Sequence, residues 1–220
     1  TFEFKKEQPL MFNENQQYIH YNKGSLVLYA LSDFIGEKNM NNALKGYINK
    51  VAYQDAPYTN SIELLNELKK ATPDSLQYVI NDMFETITLY DNRVNNATSK
   101  KLPNGKYEVT IEFNVSKYKA DDSGKRTFKD DKGKMLTYKK KGDKYPTESY
   151  PLNDYVEVGI FAEQTIKGEK VEQELYLKKQ KISSINNKLI LIVNKKPTEV
   201  GVDPYNKLID TDSNDNRRKL

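Results

Sequence analysis

The sequence predicts a multi-segment α+β chain: an antiparallel helical array over residues 1–91, an all-β, immunoglobulin-like sandwich over 92–200, and a polar tail over 201–220. Two features of periodicity carry this reading. Apolar residues recur at the roughly 3.6-residue helical spacing in the first part, and at the two-residue spacing of half-buried strands from about Asn92. Size agrees: 220 residues, 37% apolar and 11% aromatic, suffice for one large domain or two modest ones.

The first helix is marked by Val27, Leu28, Leu31, Phe34 and Ile35 on one face, with Gly36 as its terminator. Met40, Ala43, Leu44, Tyr47, Ile48 and Val51 form the second and cleanest stripe, broken at Asp55–Tyr58 by Pro57. Thr59-Asn60-Ser61 offers an N-cap for a third, narrower stripe of Ile62, Leu65 and Leu68. Thr72 reads as a cap, with Pro73 in the first turn of a fourth helix. That helix carries Leu76, Val79, Ile80, Met83, Phe84 and Ile87.

Strands follow. A Pro103-Asn104-Gly105 turn precedes Tyr107, Val109, Ile111, Phe113 and Val115, which alternate with polar residues. Asp122-Ser123-Gly124 and Asp131-Lys132-Gly133 are hairpin signals. Val156, Val158 and Ile160 alternate again, and Lys167-Gly168-Glu169 turns the chain toward Val171, Leu175 and Leu177. Ile182, Ile185 and the run Leu189–Val193 complete about seven strands, the count of a sandwich.

Composition removes several function classes. Thirty-five basic against 31 acidic residues leave a net charge of +4, evenly spread apart from the Lys-rich stretch 132–144, which reads as a solvated hairpin. With four Arg and no clustered basic face, nucleic-acid binding is rejected. No cysteine is present, so there are no disulfides and no thiolate chemistry. No apolar run approaches the roughly 18 residues that span a bilayer. The opening Thr-Phe-Glu-Phe has no leader character, so the sequence reads as a soluble mature fragment or an excised piece of a longer protein.

Catalytic candidates are few. A hydrolytic zinc site needs about three protein ligands, and the chain has a single histidine, His20, which reads as a packing or surface residue. No nucleophile elbow and no phosphate loop are present. Asp203, Asp210, Asp212, Asn214 and Asp215 cluster near the C-terminus, but Asp215 stands where a calcium loop needs Gly and the closing Glu is missing. They read as Asx-type turns in a solvated tail. Tyr21, heading an amphipathic helix beside Gly24, can present a phenol O–H to a developing oxyanion. Gly24 reads as a point of close backbone approach.

Tyr21-Asn22-Lys23-Gly24-Ser25, the following Leu-Val-Leu-Tyr-Ala-Leu and Ile35-Gly36-Glu37 resemble a segment of the aminopeptidase N-like zinc peptidases. The Pro-Tyr-Thr loop and the Leu-rich helix pair ending at Phe84 fit the same family. The endings Gly201-Val202-Asp203-Pro204-Tyr205, Leu208-Ile209-Asp210 and Asp215-Asn216 resemble those of bacterial members fused to, or encoded beside, an ABC-type permease. The resemblance implies that residues 1–91 end a catalytic domain, with the sandwich bracing it. Tyr21 would then be the catalytic tyrosine that hydrogen-bonds the tetrahedral intermediate. It further implies zinc in the parent protein, a peptide substrate, a membrane permease as partner and an extracytoplasmic location. The His-Glu-x-x-His helix, the third zinc ligand and the exopeptidase motif are absent from this sequence, so the chain alone is expected to be inactive. No motif assigns a role to Tyr18 or His20. Two alternatives stand beside it: a non-catalytic extracytoplasmic module of a transporter complex, and a sandwich binding a ligand such as carbohydrate along Tyr138, Tyr145 or Tyr150.

Overall fold

The computed structural model describes residues 6–129, 135–137 and 150–220. The opening Thr-Phe-Glu-Phe, the Asp131–Gly133 turn, most of the 132–144 lysine stretch, Tyr138 and Tyr145 lie outside the described residues. The protein is mixed α+β, with four helices and two antiparallel sheets among the described residues. It divides into two compact units, one of residues 1–88 with 119–126, the other of 89–118 with 127–220. No helix among the described residues is long and apolar enough to cross a membrane.

The first unit is helical. A π-turn, Tyr18–Lys23, runs into α1 (Gly24–Ile35), followed by α2 (Glu37–Val51), α3 (Ser61–Ala71) and the short α4 (Gln77–Ile80), which loosens into a second π-turn, Asn81–Glu85. The stripes read from periodicity are buried in part: Val27, Leu31 and Ile35 on α1, Met40 and Ala43 on α2, Leu65 and Leu68 on α3, whereas Ile48 of the second stripe is 57% exposed and Ile62 of the third 48%. Gly36 ends α1 at φ 86°, a left-handed conformation that glycine adopts without steric cost, and its N–H bonds to Ser32 O. Asn60 caps α3 by accepting from the Ile62 N–H at 3.0 Å. Thr72 does not cap the helix that follows. Its hydroxyl donates back to Leu68 O at 2.8 Å, while Gln77 Nε2 closes the end of α3 by donating to Lys69 O and Thr72 O.

The tip of a long strand completes this unit. Lys119 Nζ donates to Asp82 Oδ1 at 2.5 Å and to the hydroxyls of Thr86 and Thr88, each at 2.9 Å. The turn beyond it is tied by Asp121, whose Oδ1 accepts from the backbone of Ser123 and Lys125.

The second unit holds the sheets. One has the order β1 (Thr88–Lys101), β2 (Tyr107–Ala120), β3 (Arg126–Lys129) and β4 (Met135–Thr137), with β7 (Asn186–Val193) also on β2. The other has the order β6 (Glu169–Ile182), β5 (Asp154–Ile166), β8 (Glu199–Val202) and β9 (Arg217–Lys219). Val109, Ile111, Phe113 and Val115 of β2 are buried, as their alternation demands. The β5–β6 hairpin closes on Lys167 (φ 51°) and Gly168 (φ 86°), the two positive angles that a tight type I′ turn requires.

Two strands escape the periodicity reading. In β1 the inward positions run Thr88, Tyr90, Asn92 and Val94, so the apolar alternation is broken by Thr88 and Asn92. The stretch 201–220, expected to be a solvated tail, instead extends β8, forms β9 and buries Val202, Asp203, Lys207, Leu208 and Asn216. Polar residues enter here because each finds a partner; the Asn216 amide, for one, donates to Asn92 O.

Candidate functional site

The segment that the sequence points to sits at the head of α1. Asn13 Oδ1 accepts from the Gln16 N–H at 3.1 Å and starts the turn. Five-residue spacing then replaces the α pattern, the Gly24 N–H bonding to Ile19 O. Ile19 is fully buried and pins the turn from below. Lys23 is held by an ion pair to Glu7 at 3.1 Å. Tyr21 faces outward with 65% of its surface exposed. Its ring lies 4.5 Å from that of His20, centroid to centroid and tilted by 49°. The geometry thus presents a phenol on a backbone fixed at both ends.

Gly24 does not have the steric role expected of it. A Cβ there would meet Ile19 O at 3.6 Å and Leu10 Cδ1 at 3.7 Å, ordinary contact distances. Tyr18 and His20 are both half-buried. His20 lines a cavity of about 210 Å³ walled by Leu10, Leu28, Leu65, Leu68 and Phe84. Its Nδ1 is buried there without a hydrogen-bond partner. This space suits a small apolar group.

The C-terminal carboxylates are tied into the local backbone. Asp203 accepts from the Lys207 N–H at 3.0 Å and the Leu208 N–H at 2.9 Å. Burial pushes its carboxyl up to about 7, against the pull of those two amides toward the ionised form. Asp210 accepts from the Asn92 and Asp212 N–H groups, and Asp212 accepts from Asn214. Asp215 pairs with Arg93 at 2.7 Å. Burial also raises Asp210 and Asp215 above the usual carboxylate range. Among the described residues no three His, Cys, Asp or Glu side chains converge as metal ligands.

Two buried polar networks lie outside what the sequence pattern suggests. Lys117 reaches Asp154 at 2.7 Å, and the Tyr90 O–H donates to the same carboxylate at 3.0 Å. Lys207 Nζ bonds both oxygens of Glu157, at 2.9 and 3.1 Å. A signal for the first is present: Lys117 and Asp154 continue the inward parity of their strands. Glu157 has outward parity, and only the fold of the C-terminal stretch buries it. Of the proposed ligand-groove tyrosines, Tyr150 is described; it is half-buried, its N–H bonding Lys117 O at 2.6 Å.

Set against known proteins, the sequence matches no family model and no curated protein.

Proposed function

We propose that this chain is the carboxy-terminal part of a zinc aminopeptidase of the aminopeptidase N-like kind, in which Tyr21 donates a hydrogen bond to the oxyanion formed when a peptide carbonyl is attacked. The observation that carries this reading is the setting of the Tyr21–Gly24 motif: an exposed phenol on a π-turn anchored by buried Ile19 and the Lys23–Glu7 pair. Single π-turns are frequent where side chains do chemistry. A donor held in advance stabilises developing charge without having to reorganise. The chain's own residues do not fit a zinc site, since His20 is its one imidazole. In this reading the metal ligands lie outside this sequence, and Tyr21 acts on the substrate oxygen alone.

On the same reading, the helical unit closes a catalytic domain and the two antiparallel sheets make an immunoglobulin-like sandwich. The Tyr90 and Lys117 bonds to Asp154, from β1 and β2 to β5, support the second point. The parent protein then works on the extracytoplasmic side of a bacterial membrane beside a permease, with peptides as substrate.

The test is Tyr21→Phe in the full-length protein, assayed on aminoacyl arylamides. Turnover is expected to fall about 10²–10³-fold, the usual loss for one oxyanion donor, with KM little changed. Unchanged turnover would refute the role of Tyr21, and an upstream reading frame without His-Glu-x-x-His would refute the peptidase itself.

A further inference from the structure

β7 is paired on one side only. Its residues register against β2 from Tyr107↔Val193 to Asn114↔Asn186, and among the described residues no strand occupies its other edge. Natural edge strands are usually blunted by a charge, a proline or a bulge. β7 instead carries five apolar residues in succession, Leu189 to Val193. On its outward face Ile190 and Ile192 are each 59% exposed, where a solvated sheet normally shows polar side chains. Their neighbours on β2 are Thr110 and Glu108. The nearest charge on that face of β7, Lys188, is drawn aside to Glu112 at 2.9 Å.

We propose that β7 pairs with β7 of a second copy of this chain, antiparallel about a two-fold axis at Leu191. The strand is self-complementary in that register. Leu191 meets its own counterpart, Leu189 meets Val193 of the second copy, and Ile190 meets Ile192 of the second copy. Four isoleucines then cover one another on the outward face. Charges agree as well: Lys188 faces Asn194 of the second copy and Asn187 faces Lys195, so no like charges stand directly opposite. Shifting by two residues sets Lys188 against Ile192 in one direction and Ile190 against Asn194 in the other. Slipping by one turns one copy's outer face to the other's inner face. The contact is smaller than the roughly 1,200 Å² of a standard interface, so the dimer is weak, with Kd on the order of 0.1 mM.

Sedimentation equilibrium from about 10 µM to about 1 mM, with amide exchange read at both ends, tests this. The expected result is a monomer–dimer equilibrium in which the β7 amides alone gain protection as concentration rises. Changing both Ile190→Lys and Ile192→Lys in one sample, and both to Glu in another, should leave each sample monomeric. Mixing them should restore a heterodimer, because position 190 of one faces 192 of the other. A wild-type chain monomeric throughout the range overturns the proposal. So does a doubly Lys-substituted chain that dimerises like the wild type, or a mixture that stays monomeric. Should the charged variants fail to fold, protection outside β7 in the wild-type dimer is itself decisive against the proposal.

Discussion

Gly201→Ala tests how the second unit closes. Gly201 lies opposite Gly159 in the β5–β8 register, and the two missing side chains make a slot. The Phe161 ring fills it over Gly159, with the Arg217 guanidinium 4.3 Å above the ring and Tyr205 edge-on at 6.0 Å. A Cβ at position 201 would lie 2.8 Å from Pro204 Cβ and 3.3 Å from Arg217 Cγ. Carbon atoms rest about 3.5–4.0 Å apart, so Pro204 would have to retreat by roughly 0.7 Å or more. It has little freedom to do so. Its ring locks φ, and Asp203 before it is held by its N–H to Glu157 O at 2.7 Å and by both carboxylate oxygens. Overpacking of this kind costs about 1–3 kcal/mol, and alanine's smaller unfolded-state entropy returns about 0.4–1 kcal/mol. The net loss is about 1–2 kcal/mol, a fall in Tm of roughly 4–8 °C for a unit of this size. Thermal unfolding followed by circular dichroism measures it. Gly46→Ala in α2 is the control, because its Cβ would meet only Glu67 Oε2 at 3.5 Å; it should stabilise by about 0.5–1 kcal/mol. A Gly201→Ala protein that melts at or above the wild-type temperature would refute the slot argument.

Lys119→Met should destabilise the helical unit by about 3 kcal/mol in urea unfolding, because it strands the Asp82 carboxylate, 6% exposed, without its cation. Adding Asp82→Leu should recover most of that loss; if Lys119→Met alone is neutral, the pair does not hold the hairpin tip. For Asp203 the sign is set by burial, which raises the folded carboxyl to about 7 above an unfolded value near 4. Its contribution to stability is therefore full below about pH 4 and is lost as pH rises toward about 7. Carboxyl-carbon NMR should find Asp203 titrating near neutrality, and a midpoint near or below about pH 4 would show that the Lys207 and Leu208 amides offset desolvation in full.

Periodicity locates the helices because each buries a single stripe. α1 is the clearest case, with Val27, Leu31 and Ile35 buried; on α2 Met40 and Ala43 are buried but Ile48 of the same stripe is exposed. The same logic locates β2, where burial strictly alternates up to Phe113. It stops working where burial depends on partners far along the chain. Asp154, Lys207 and Asn216 are polar and buried, and each is tolerated because a distant group satisfies it. A window of neighbouring residues carries no trace of such pairing. The stretch 201–220 therefore reads as solvent-facing, although Asp203, Lys207 and Asn216 secure its burial. Gly201-Val202-Asp203-Pro204-Tyr205 stands out as a motif in the sequence, and its physical content emerges only with the slot it forms against Gly159 and Phe161.

For the proposed site, the sequence names a residue but not its direction. Tyr21 is marked by its neighbours Lys23 and Gly24, yet nothing in Tyr-Ile-His-Tyr-Asn-Lys distinguishes an α-turn from a π-turn. The difference decides where the phenol points. One extra residue in a helical turn rotates every earlier side chain by about 100° relative to those that follow. With Ile19 buried and Tyr21 65% exposed, the π-turn swings the phenol outward relative to the buried face of α1, defined by Val27 and Leu31. Regular α-helix through Tyr18–Lys23 would rotate Tyr21 by that same angle against the same core. Exposure of the phenol is thus a property of the backbone irregularity, and a proposed role for Tyr21 stands on that turn as much as on the tyrosine.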